Sequence, residues 1–214
     1  MHTIKNPYQT RLSTNILHRK AEGETTRLVL EDTLLMDYEQ LHLLPERAEI
    51  DGAPILRTYM QGDHLVHVVS GKPQKSRILL QVNSRDRRQT QRDVSLRLLL
   101  RYLLAQHENR NPYAYEAVKS INGNFQVSFR ISGHFTQDEI IELQGRLDRG
   151  LERFLRSGLR FRSKEDPKAQ TQLFGVCTLP WMGPHLDNCS EIYRYHWLSP
   201  RLCAGHAELT YRLD

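Results

Sequence analysis

Short apolar runs broken by polar turn residues fill the first ninety positions, which read mostly as short strands separated by turns. "RLVLEDT" (27–33), "HLVHVV" (64–69) and "RILLQV" (77–82) each read this way. "AEIDGAPILRTYM" (48–60) reads as two strands joined at Asp51-Gly52, a dipeptide suited to the positive φ angles of a tight hairpin. Gly62-Asp63 and "SGKPQKS" (70–76) supply the next turns, so an antiparallel, meander-like arrangement is expected here.

The pattern then changes. From about Thr90 to Gln106 the chain is apolar apart from Asp93, Arg97 and Arg101, spaced i, i+4, i+8 and therefore on one face of a helix. Leu98, Leu99, Tyr102 and Leu103 are free to enter a core. "NFQVSFRIS" (124–132) reads as a strand after an Asn122-Gly123 turn. A second helix is expected from Thr136, where Glu139 completes a capping box, to about Ser157, with Gly158 as its C-terminal cap. Its buried stripe is Ile140, Leu143, Leu147, Leu151, Phe154 and Leu155. The remainder, to the final "HAELTYRLD" (206–214), reads as strands, the opening stretch being an interrupted loop. The expected fold is α+β, an antiparallel sheet packed with two long helices. A β-rich N-terminal subdomain over residues 1–88 would precede an α+β core over 89–214, the two able to form one compact domain.

The chain's 214 residues, 39% hydrophobic and 26% charged, are ample for a sizeable core. Arginines interrupt "LRLLLRYLLA", so no apolar run reaches the roughly 18–20 residues of a membrane span. The N-terminal stretch shows no apolar segment of a secretory signal. Three widely spaced cysteines, Cys177, Cys189 and Cys203, argue against a disulfide framework, and a reducing cytoplasm is the expected location. The net charge of +5 permits a polyanionic partner. Clustering says more: Arg85, Arg87, Arg88 and Arg92 fall within "NSRDRRQTQRD", and Arg156, Arg160, Arg162 and Lys164 within "RSGLRFRSK". Such groups can grip phosphates through charge-assisted, often bidentate hydrogen bonds, or can simply line a solvated face.

Candidate chemistry concentrates in "WMGPHLDNCSEI" (181–192), where His185 and Cys189 lie four residues apart. Set beside the helix segment "DVSLRLL" (93–99), this loop resembles the alanyl-tRNA editing family, which includes the second additional domain of threonyl-tRNA synthetases. That family carries H-T-A-x-H-L-L on a helix and C-G-G-T-H, followed by an N-T-G-E-I-G-like stretch, on a loop. The two helix histidines and the loop cysteine and histidine together make a tetrahedral zinc site. In this chain Asp93 and Arg97 occupy the helix-histidine positions, Trp181 the cysteine position, and His185 keeps the histidine position. Asn188, Glu191 and Ile192 match the tail of the motif, with Cys189 at the usual threonine. "LVLEDT", the 78–104 stretch and the terminal "HAELTYRLD" extend the resemblance over most of the chain. Where the family has a G-G-G-Q loop, this chain reads "LLMDYEQLHLLPE" (34–46).

An arginine has no lone pair to give a metal, and an indole offers only an N–H donor. No metal and no other cofactor is therefore expected, and Asp93 and Arg97 are placed to pair as i, i+4 neighbours instead. The resemblance implies action on the aminoacyl end of charged tRNA, as a zinc-free deacylase. Transfer of the aminoacyl group to a small amine, hydroxyl or thiol is an alternative, and so is a tRNA-binding protein without activity. His185 can serve as general base or be an ordinary loop histidine bonded to backbone. Cys189 can be a nucleophile beside it or a small buried residue, and Asp93 completes the candidate catalytic set. Arg85, Arg87, Arg88, Arg92, Arg97, Arg101, Trp181 and Asn188 are the candidate tRNA contacts, Arg97 also reading as a structural partner and Trp181 as a packing plug.

Overall fold

The computed structural model describes residues 6–108, 115–121, 124–164, 170–173, 177–180 and 184–214. The expected Asn122-Gly123 turn and Trp181 lie outside the described residues. The chain divides into two compact units, Met1–Gln91 with Met182–Pro184, and Arg92–Trp181 with His185–Asp214. The division falls inside a helix, a few residues beyond the boundary read from the sequence at 88.

In the first unit six strands close into an antiparallel barrel: β1 (Arg11–Glu22), β2 (Thr25–Leu30), β3 (Ala48–Ile50), β4 (Ala53–Gln61), β5 (His64–Ser70) and β6 (Arg77–Val82). Their order around the barrel is β1-β2-β5-β4-β3-β6, and β6 returns to pair with β1. Two β-bulges turn the corners. β1 pairs with β6 up to Asn15 and with β2 from Ile16, with a register shift between Ile16 and His18. β4 pairs with β3 at Ala53 and Pro54 and with β5 from Ile55, with a shift between Ile55 and Arg57. A bulge bends one strand and steepens its twist, which closure requires. The extra residues, Leu17 and Leu56, are left on the outside. Alternate residues fill the interior, among them Leu28, Leu30, Val69, Ile78, Leu80 and Val82. His67 is also buried there, its Nε2 2.8 Å from Thr33 Oγ1. Asp51 and Gly52 have φ of 48° and 84°, the hairpin geometry their sequence calls for.

This closure overturns the expected architecture. An editing-domain-like antiparallel sheet packed with two long helices has free edges, whereas the N-terminal strands here close on themselves and leave none. The closing contact joins strands at opposite ends of the segment, which a meander of neighbours does not require.

Helix α1 (Ser84–Glu108) follows β6. It starts earlier than the sequence pattern indicates because Asn83 Oδ1 accepts from the N–H groups of Arg85 and Asp86. In the second unit, β7 (Tyr115–Ile121) and β8 (Asn124–Ser132) precede α2 (Gln137–Ser157). Thr136 and Glu139 form the capping box of α2, and Gly158 ends it at φ 61°. A three-stranded sheet is built from β9 (Phe161–Lys164), β10 (Gln170–Leu173) and β11 (Cys177–Pro180). The larger sheet runs β12-β14-β8-β7, from β12 (Tyr195–Trp197) and β14 (His206–Leu213), with β13 (Arg201–Cys203) paired to β14. Its inner face carries Val127, Phe129 and Ile131 of β8 and Leu209, Tyr211 and Leu213 of β14. Ile140, Leu143, Leu147 and Leu151 of α2 are buried, and Tyr102 of α1 meets Phe154 edge to face at 5.7 Å. Every residue from Thr90 to Leu100 is buried, so the middle of α1 is a core helix that carries charges inside.

Candidate functional site

Asp93 lies on α1, is 1% exposed, and sits under the last strand. Both of its oxygens are engaged. Arg97, one turn on, donates from Nε to Oδ1 (2.9 Å) and from Nη2 to Oδ2 (2.7 Å), a two-pronged ion pair. Tyr211 of β14 donates its hydroxyl to Oδ1 at 2.7 Å. The pairing expected from the i, i+4 spacing is therefore present, and it is buried.

One residue inside that turn, Ser95 presents its hydroxyl to the 184–192 loop, where the Leu186 N–H donates to Ser95 Oγ at 2.8 Å. The loop is held from the other side as well. Phe161 N–H donates to the Asp187 carbonyl and Cys189 N–H to the Leu159 carbonyl, both at 2.9 Å. Asn188 caps the short 3-10 turn Cys189–Glu191, its side chain accepting from the Ser190 N–H while Glu191 accepts from the Asn188 N–H. The loop thus meets α1 at Ser95, which lies two residues from both Asp93 and Arg97 and so on the opposite face of the helix from that pair.

His185 is 3% exposed, and its Nδ1 lies 2.8 Å from the Leu186 carbonyl. A carbonyl only accepts, so Nδ1 carries the proton and the basic lone pair belongs to Nε2. Burial lowers the imidazole pKa below its ordinary value, against the opposing pull of the Leu186 carbonyl and the Asp187 charge, so His185 is neutral at pH 7. Phe161 lies beside the ring, 5.8 Å between centroids. Cys189 is fully buried, and burial pushes its thiol up to about 12. At neutral pH such a thiol is not a thiolate, which corrects its reading as a nucleophile.

The residues do not fit a zinc ion. The Asp93 carboxylate is occupied by a guanidinium and a phenol, and the guanidinium stands at the position of the second helix ligand. Among the described residues no three His, Cys, Asp or Glu side chains converge as a metal site.

Several candidate phosphate contacts are inside the protein. Arg87 is 1% exposed; its Nη2 donates to the Leu34 carbonyl at 2.6 Å and its Nε to Glu46 at 3.0 Å. Tyr38 donates to the same Glu46 oxygen at 3.0 Å, and burial raises the Glu46 pKa against the lowering influence of Arg87. This network pins the 34–46 segment, whose Leu34, Leu35, Met36 and Leu43 are buried where the resemblance implies a glycine loop. Arg92 is buried too, donating to the backbone oxygens of Tyr193, Arg194 and Asp214, with its guanidinium 4.4 Å from the Tyr193 ring centre. Arg87 and Arg92 are therefore structural cations, a correction to their expected role against tRNA; Arg97 takes its other reading, the structural pairing, and the Asn188 side chain is a cap. Arg85 is exposed, and Arg88 and Arg101 are half-buried, Arg88 lying 5.9 Å from the ring centre of Tyr8. Ser95 and Tyr211 went unrecognised in the sequence; the inward register of Tyr211 in its strand is the signal that could have found it.

The chain thus combines a closed barrel with a helix-and-sheet unit that buries an ion pair on α1 and holds the 184–192 loop by hydrogen bonds. No protein-family model matches it, and neither does any curated protein. No helix among the described residues is long and apolar enough to cross a membrane.

Proposed function

We propose that this protein acts on the aminoacyl end of charged tRNA without zinc, as a deacylase in which His185 orients or deprotonates the attacking water. The observation that carries the reading is the seam between α1 and the 184–192 loop. The Leu186 N–H binds Ser95 of α1, next to an imidazole that is neutral and fixed in the tautomer whose Nε2 is basic. An aminoacyl ester is activated, so hydrolysis needs an oriented water and donors for the developing oxyanion rather than an obligatory metal. Asp93 and Arg97 act as positioning residues, fixing α1 against Tyr211 of β14.

The burial of His185 favours a second reading, tRNA binding without turnover. Release of labelled amino acid from a panel of charged tRNAs, with and without chelator, separates the two. The deacylase reading expects chelator-insensitive release that His185→Ala lowers by about 10²–10⁴-fold, the worth of a general base. Binding without release from any charged tRNA leaves the second reading, and chelator-sensitive release refutes the metal-free mechanism.

A further inference from the structure

The barrel carries a second candidate site, remote in sequence from the helix–loop seam. A cleft of about 360 Å³ opens on the outside of β1, β2 and β5, floored by Val29 and Val66. The register sets its composition. On β1 and β2, His18 faces Val29 and Lys20 faces Arg27; Val29 in turn faces Val66 of β5, and Gln61 faces His64 at the β4–β5 turn. Leu28 and His67, which alternate with these, point into the barrel and are fully buried. None of the residues lining the cleft is acidic.

Two features set it apart from an ordinary solvated strand face. Lys20 and Arg27 are direct cross-strand partners, an arrangement of like charges that weakens a sheet. A single carboxylate, Glu22, serves both cations, 3.1 Å from Lys20 Nζ and 2.7 Å from Arg27 Nε. Arg19, the cross-strand partner of Leu28, borders the cleft with its guanidinium turned to the carbonyls of Gln74 and Lys75. The protein therefore retains a locally unfavourable cationic cluster next to an apolar floor.

We infer that this cleft binds the phosphodiester backbone of RNA, with phosphate on Lys20 and Arg27 and the sugar against the half-buried Val29. Side chains two apart on one strand face are about 7 Å apart, the scale of one nucleotide, so a cationic step, an apolar step and the His64–Gln61 end succeed one another as phosphate, ribose and base do. The inference rests on the tRNA reading above.

Fluorescence anisotropy of labelled, uncharged tRNA, titrated at salt concentrations from about 50 to 200 mM, tests it. Lys20→Glu is the informative variant because it reverses the charge opposite Arg27 and gives up only an exposed pair with Glu22. Its melting temperature should match the wild type while tRNA affinity drops about tenfold or more and the salt slope becomes shallower by about one. Arg27→Ala should act in the same direction. Unchanged affinity and slope in both variants, with wild-type binding intact, overturn the cleft assignment and leave the tRNA reading standing. Absence of tRNA binding by the wild type overturns both. Binding of pyrophosphate, but not tRNA, that Lys20→Glu abolishes would reassign the cleft to a small phosphate ligand and overturn the RNA assignment.

Discussion

Replacing Asp93 by alanine is the sharpest test of the view that a buried ion pair, joined by Tyr211, ties α1 to β14 within the second unit. Asp93 accepts three short hydrogen bonds, two from Arg97 and one from Tyr211, and its side chain is almost wholly inaccessible. Truncation removes the carboxylate from a guanidinium whose side chain is only 10% exposed. It also removes the acceptor of the Tyr211 hydroxyl. An unmatched buried hydroxyl costs about 1–3 kcal/mol, and breaking a buried ion pair from one side about 3–5 kcal/mol in all. With an m-value near 2 kcal/mol/M, the urea midpoint of the second unit should fall by about 2 M. Tryptophan fluorescence is a suitable probe because Trp197 packs edge-on against Tyr211 at 6.0 Å, and circular dichroism supplies the second signal. The double variant Asp93→Leu/Arg97→Met should recover most of the loss, since replacing both buried charges by apolar groups is often neutral or stabilising. A loss below about 1 kcal/mol for Asp93→Ala, or additive losses in the double variant, would refute the argument that the pair is dry and coupled.

Other consequences are open to direct measurement. Gly150→Ala should destabilise despite the better helix propensity of alanine, because its Cβ would lie 2.6 Å from Leu103 Cδ2 in a packed core. Overpacking of about 1–3 kcal/mol outweighs the roughly 1 kcal/mol gained in propensity, and a stabilised variant in thermal melts would contradict the packing. Ellman's reagent should label exposed Cys203 in the native protein and reach buried Cys189 only on unfolding, as peptide mass spectrometry can show; native labelling of Cys189 would contradict its burial. Burial lowers the pKa of His185 in the folded state, so the unfolded chain takes up the proton first as pH falls. The contribution of His185 is therefore complete above the ordinary imidazole range and is lost as pH drops through that range to the lower folded value. His185→Gln should be less acid-sensitive than the wild type in melts at pH 5 and pH 7, and equal sensitivity would show that the imidazole does not titrate on unfolding.

Legibility varied with the distance over which the deciding contact acts. α2 could be read complete with both caps, because Thr136, Glu139, Gly158 and its apolar stripe are all local. The Asp93–Arg97 pair was legible for the same reason, being one turn of helix. Barrel closure was not, because β1 is mostly exposed, lacks a clean alternation, and takes half its pairing from β6 far along the chain. The arginines were least legible of all. A cation that binds phosphate and one that binds a buried carbonyl look identical in sequence, and the partners of Arg87 and Arg92 lie 41 to 122 residues away.

By itself, then, the sequence determined the periodic elements, the hairpin at Asp51-Gly52 and the chemical unfitness of Arg97 as a metal ligand, since each follows from residue type and near neighbours. The tertiary structure alone decided that the strands close into a barrel, that Cys189 is a protonated core thiol, and that Arg87 and Arg92 are internal struts. Those outcomes depend on which groups are desolvated together, and desolvation is a property of the packed molecule rather than of any stretch of chain.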